Sequence, residues 1–137
     1  MEVVDAQDTI LGRLATEVAK KSLKGEEFII LNAEKIVISG NKDVIFKRYL
    51  ERRQRGCPIH GPFFPSKPDM IVKRAIRNML PHKKDYGKAA LKRIKVFSRV
   101  PEEYKDKKMV KIGKQADKLN CNFVFIYEIS EYLGGIK

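Results

Sequence analysis

EVVDAQDTILGRLATEVAKKSLKGEEFIILNA, residues 2–33, carries the pattern that decides the fold. EVVDA at 2–6 is a short apolar run that reads as a buried strand. Between 8 and 25, Leu11, Leu14, Ala15 and Val18 recur at helical spacing, Asp8 or Thr9 stands where a cap belongs, and Gly25 follows the end. EEFIILNA at 26–33 is a second apolar run. Strand, helix and strand make a βαβ unit, which predicts two parallel strands joined by a right-handed crossover. Both strands are nearly continuous in apolar residues, as strands covered on both faces are. A layered α/β core follows.

Downstream, EKIVIS reads as a short strand or extended piece. GNKDVIFKRYLERRQR opens on a Gly-Asn turn and continues as a helix with Val44, Ile45, Phe46 and Tyr49 inward. RGCPIHGPFFPSKP, residues 55–68, holds four prolines and two glycines and reads as an extended, irregular loop. PDMIVKRAIRNML is a helix with Pro68 in its first turn and Pro81 past its end. Val72, Ala75, Ile76, Met79 and Leu80 share one side of it, and Lys73, Arg74 and Arg77 another. YGKAALKRI repeats the scheme with Ala90, Leu91 and Ile94 inward, IKVF reads as a core strand, and NFVFIY as a strand before a short final helix ending at Gly134 and Gly135.

The chain of 137 residues is the size of one domain, and 43% hydrophobic with 34% charged residues is a globular composition. Its formal charge of +12 is unevenly placed. Residues 1–46 carry six basic and eight acidic side chains, residues 47–95 fifteen and three, and residues 96–137 eight and six. The central block therefore holds the excess, and a block of one sign makes a local field that attracts a polyanion. No apolar run is long enough for a membrane span, and the acidic start MEVVDAQ lacks the pattern of a secretion signal, so the expected location is cytoplasmic. Cys57 and Cys121 form no CxxC pair and are expected as reduced thiols.

A single basic helix is ordinarily a solvated face. Here two basic helices, the cluster Arg52, Arg53 and Arg55, and a Pro-rich loop follow one another, and that succession points to nucleic acid. Lys88 and Lys92, four apart on one helix, repel each other with nothing acidic nearby to relieve them. No basic region with heptads, zinc-finger spacing or RRM-type aromatic signature is present, so structured RNA read by its phosphates fits better than sequence-specific DNA. Phe63, Phe64 and Tyr86 could stack on splayed bases, although burial is the expectation for most of them.

Enzymatic readings are weak. Cys57 and His60 have a spacing that suits a metal, but a zinc site would have to recruit Cys121 and His82 as well. Gly40-Asn41-Lys42 lacks the glycine spacing and the Ser or Thr of a phosphate loop, and no paired carboxylates are evident. No cofactor and no metal are expected. The contrasting reading is an RNA-modifying or nucleotide-binding enzyme on an α/β scaffold, which would need a clustered acid or thiol site.

ILGRLATEVAK at 10–20, ILNAEKIVISGNK at 30–42, GPF at 61–63 and NMLPHKKDYGKAALKRIKVF at 78–97 resemble the universal large-subunit ribosomal protein thirteen family, in its archaeal and eukaryotic form. The match runs in order from residue 2 to about 108, with Arg99 standing where the family commonly has glycine. The resemblance implies a three-layer α/β/α single domain over 1–137 with a small, mainly parallel central sheet, a basic RNA-facing region at 47–95 and a C-terminal extension from about 108. It implies a structural constituent of the large ribosomal subunit with no catalysis of its own, whose partners are large-subunit ribosomal RNA and neighbouring ribosomal proteins, with no membrane and no homo-oligomer. Carried onto this chain, it assigns RNA contacts to Arg13, Asn41, Lys42, Lys83, Lys84, Lys88, Lys92 and Arg93. The charge pattern adds Arg48, Arg52, Arg53, Arg55, Lys73, Arg74 and Arg77 to that candidate set.

Overall fold

The computed structural model describes residues 1–135, the side chain of Lys118 excepted; the last two positions of the expected 1–137 unit lie outside the described residues. The βαβ unit forms as its pattern predicts: β1 (Glu2–Asp5), α1 (Leu11–Leu23) and β2 (Phe28–Leu31), with β1 and β2 parallel and Val4 opposite Ile30. β4 (Ile94–Val96) joins the far edge of β2, also parallel, giving the order β1-β2-β4. Every side chain of β2 is buried. β3 (Val37–Ser39) and β5 (Phe123–Phe125) form a separate antiparallel pair. The mainly parallel α/β domain is thus as expected, with the tail supplying the second strand of the small pair.

Alternate residues of the strands face opposite ways, and the two faces are covered differently. Val4, Phe28, Ile30 and Ile94 pack with the apolar stripes of α1, α3 (Pro68–Met79) and α4 (Asp85–Lys92). Val3, Ile29 and Leu31 pack instead with Phe97, Val100, Tyr104 and Met109. That second cover is extended chain around a 3-10 turn at Glu102–Tyr104, so the third layer is thinner than a helix would make it. Its cohesion comes partly from backbone pairing: Val110 donates to the Val3 carbonyl at 2.9 Å and accepts from Asp5 N–H at 3.1 Å, occupying the outer edge of β1.

Several local expectations change. Neither Asp8 nor Thr9 caps α1, whose first residue follows Ile10 with no side-chain cap. Asp8 sits at φ 56° and Thr9 is buried with its hydroxyl on the Gln7 carbonyl at 3.3 Å. Tertiary pairing holds this end, Ile10 N–H donating to Lys114 O at 3.0 Å. Val44 on α2 (Lys42–Gln54) and Met79 on α3 are exposed rather than inward, because Ile45, Tyr49, Ile71 and Ile76 take the core-facing positions of those helices. The final strand stops at Phe125, and the following residues enter α5 (Ile126–Tyr132).

α4 is placed by close approach. Ser22 at the end of α1 donates to the Ala90 carbonyl at 2.7 Å, and at the other end Gly87 lies against the chain before the helix, where a β-carbon would collide with the Pro81 carbonyl. Gly12, by contrast, has open space where its β-carbon would be. Gly87→Ala should therefore lower stability by about 1–3 kcal/mol through overpacking, whereas Gly12→Ala should leave it unchanged or raise it by up to about 1 kcal/mol. Urea unfolding of both variants measures the difference, and equal midpoints would contradict the packing described.

Candidate nucleic-acid interface

The candidate surface is assembled by α2, the loop 55–67 and α3. Asn41 caps α2, its side chain accepting from Asp43 N–H at 3.1 Å, and the helix then runs without a proline to Gln54. Tyr49 and Ile45 anchor it. Burial raises the Tyr49 phenol above its ordinary pKa against the opposing pull of Arg52 and Arg48. The loop that follows cannot become a helix, since Pro58, Pro62 and Pro65 remove donors and fix φ. Its tip closes at Cys57 and Gly61, which exchange backbone hydrogen bonds at 3.3 and 2.9 Å. There the Cys57 sulfur accepts from His60 N–H at 3.3 Å, so the metal-like spacing of this pair belongs to a turn.

Arginines then fasten the loop to both helices. Arg53 donates to Phe64 O at 3.2 Å and Arg74 to Phe63 O at 3.1 Å. Arg74 also lies over the Phe64 ring, 4.8 Å from its centre, while Phe64 meets Tyr49 edge-on at 5.7 Å. Arg52 lies over Tyr49 at 5.6 Å. Burial, and then the like charges of Arg77 and Arg52, hold the Arg74 guanidinium below its ordinary pKa, which places side chains from two helices in one field. A groove of about 360 Å³ opens here, lined by Phe63, Phe64, Met70 and Leu91 with Lys73, Arg74 and Arg77. Arg55 and Arg53 line the adjoining groove, about 280 Å³, on the other side of Phe63. Arg53, Arg55, Lys73, Arg74 and Arg77 are thus gathered around residues 62–65 with Arg52 beside them over Tyr49, and none of the six has an ion-pair partner among the described residues.

The remaining candidates divide. Arg48 is exposed on α2, Arg13 on α1, and Lys83 and Lys84 between α3 and α4; none of these four lines either groove. Lys42 pairs with Glu128 at 3.6 Å and lies 5.3 Å from the Phe46 ring centre. Lys88 pairs with Asp85 at 3.4 Å, which corrects the expectation that no acid relieves the lysine pair on α4: the partner is one turn back, three residues earlier. Lys92 is exposed at the end of α4 and lines a small pocket, about 110 Å³, with Arg93, Lys95 and the carboxylate residue Glu27. Arg93 itself donates to the Ser22 carbonyl at 3.3 Å, so it satisfies an open carbonyl at the end of α1.

Phe63 and Tyr86 are exposed and only Phe64 is half-buried, so burial is not the fate of most of these rings. Leu91 was readable only as a core residue and Met70 stood out in no pattern; nothing in the helical spacing marks a side chain that lines a groove. Phe63 carried no such signal either: the prolines near it mark the loop as irregular and leave open whether the ring is buried. Among the described residues no three His, Cys, Asp or Glu side chains gather as a metal site, and no helix is long and apolar enough to cross a membrane.

The family model described as "Ribosomal protein L13" matches residues 1–103. The chain is 46% identical over 136 residues to "Large ribosomal subunit protein uL13" of Methanococcoides burtonii, with 98% of each chain covered. The protein of the same name from Methanocaldococcus jannaschii is 46% identical over 139 residues, again with 98% of each covered. That of Archaeoglobus fulgidus is 43% identical over 136 residues, covering 96% of this chain and 86% of the relative. These alignments take in the tail beyond residue 108, where the motifs that carry the resemblance stop.

Arg74→Ala removes a hydrogen bond and a stacked cation together. The expected cost is about 1–2 kcal/mol, with the loop released: chymotrypsin should cleave after Phe63 faster than in the parent chain, the bond after Phe64 being closed to it by Pro65. Arg74→Lys should not restore protection, because an ammonium cannot bond the carbonyl and lie flat on the ring at once. Unaltered cleavage in Arg74→Ala would remove this residue from the support of the loop.

Proposed function

Because this chain belongs to the ribosomal protein L13 family, we propose that it is a structural constituent of the large ribosomal subunit that binds and organises large-subunit ribosomal RNA. The observation that carries this reading is the gathering of six basic side chains from α2, α3 and the loop between them, without acidic partners among the described residues. Like charges held this close repel, and an external polyanion relieves them. The role is binding and positioning, without catalysis, cofactor or self-association. It places the protein in the cytoplasm within the large subunit, beside other ribosomal proteins, as a single domain over 1–137 with its RNA-facing part at 47–95. The contrasting reading, an RNA-modifying or nucleotide-binding enzyme, would need a clustered acid or thiol site.

The candidate residues enter this reading unequally. Arg52, Arg55, Lys73 and Arg77 are assigned to phosphates directly; Arg53 and Arg74 reach RNA while holding the loop. Arg13, Arg48, Lys83, Lys84 and Lys92 are exposed on other parts of the surface and add to its positive field. Asn41, Lys42, Lys88 and Arg93 act first within the fold.

Neutralising phosphates releases counterions, so affinity for a large-subunit RNA fragment should fall with salt by about 0.7–0.9 log unit per log unit of salt for each contact. Replacing Arg52, Arg55, Lys73 and Arg77 by Gln should reduce the magnitude of that slope by about three with the circular dichroism spectrum unchanged. Replacing Lys42 and Lys88, each already paired with a carboxylate, should change it by less than one. A folded quadruple variant with the parental slope would dismiss this face as the RNA contact.

A further inference from the structure

Screening phosphates requires cations and nothing else, yet this surface also exposes apolar groups among its cations. Phe63 is 68% exposed and Met70 48%. Phe63 stands between the two grooves and lines both. On one side are Lys73, Arg74 and Arg77, and on the other Arg53 and Arg55. The larger groove, about 360 Å³, falls within the range of small-ligand clefts, roughly 300–1,000 Å³, and Phe64, Met70 and Leu91 make its lining mainly apolar.

The platform is set before any ligand arrives. Both carbonyls at 63 and 64 are held by arginines, and Arg74 is itself stacked on Phe64. A loop whose backbone is already held loses less freedom when one of its side chains stacks on a ligand. Arg77 lines the same groove and has no ion-pair partner among the described residues. The ligand that matches an aromatic ring flanked on both sides by cations is a planar heterocycle with an anion before it and an anion after it. A strand of nucleic acid has that repeat at each nucleotide. A mononucleotide carries phosphate on one side only, and an acidic peptide has no planar ring at every position.

We propose that Phe63 is a stacking platform for one unpaired nucleobase of the bound RNA, with the two flanking phosphates held by the arginine and lysine rims of the two grooves. The proposal rests on the RNA-binding reading above and specifies what that RNA must present: a bulged or splayed nucleotide where the loop and α3 dock. Base–aromatic stacking is worth enough to change affinity at least about fivefold per base.

The test uses the whole protein and two RNA hairpins of equal nucleotide number, one with a single bulged 2-aminopurine and one with that base paired. The bulged hairpin should bind at least about fivefold more tightly, with its fluorescence quenched. Phe63→Ala should abolish the preference and the quenching while keeping the affinity for the paired hairpin, and Phe63→Trp should retain both. If the two hairpins bind equally and with steep salt dependence, the platform is overturned and the RNA reading stands. If neither binds with salt dependence, the RNA reading falls and takes the platform with it. Competition against the bulged hairpin by adenosine monophosphate at micromolar concentration would make the groove a free-nucleotide site. Competition by an acidic, apolar peptide would make it a protein-docking site. Either result overturns the proposal.

Discussion

Phe28–Leu31 lies between two parallel partners with all four side chains buried, and this one strand constrains the rest. Parallel neighbours cannot be joined by a tight turn; each needs a long connection that returns the chain to the same end of the sheet. The first is α1. The second runs from residue 32 to residue 93 and contains β3, α2, the Pro-rich loop, α3 and α4. Nearly all of the basic block, residues 47–95, is therefore one excursion from the sheet. A contiguous charge in the sequence becomes a surface because the core requires that excursion to exist and leaves its outer parts to solvent.

The two faces of the sheet divide the work. Three helices bury the Val4, Ile30 and Ile94 side through α1, α3 and α4, and the same packing sets the basic sides of α3 and α4 outward. The other face needs only a cover, and the 97–110 segment supplies one with Tyr104 and Phe97 over Ile29 and Leu31. Pairing of Val110 along β1 also removes an exposed edge of the kind that invites strand addition.

Arginine and lysine do different things here, for reasons of shape. Arg53, Arg74 and Arg93 each spend a guanidinium bond on a backbone carbonyl and keep further donors for another partner, which a five-donor fork allows. Among the lysines, Lys88 pairs with Asp85 on its own helix and Lys42 with Glu128 on α5, while Lys83, Lys84 and Lys92 are exposed. Exposed pairs of this kind contribute little to stability. The arginines thus build the loop's shape and present charge at the same time, whereas the lysines mainly add field.

Local pattern was enough to read the βαβ unit, the positions of α2, α3 and α4 and the irregular loop, because apolar periodicity and proline act over a few residues. It was also enough to place the excess charge and to carry the family resemblance. Contacts across the chain decided the rest. Thr9 fills a buried site instead of capping α1, Lys88 has its own acid, Arg93 closes the end of α1, and β5 in the tail completes the pair with β3. The exposure of Phe63 between two basic grooves is likewise a tertiary fact: whether a ring in a proline-rich loop is buried depends on how Arg74 and Arg53, from two helices, hold the carbonyls of Phe63 and Phe64, and side-chain spacing does not encode that meeting.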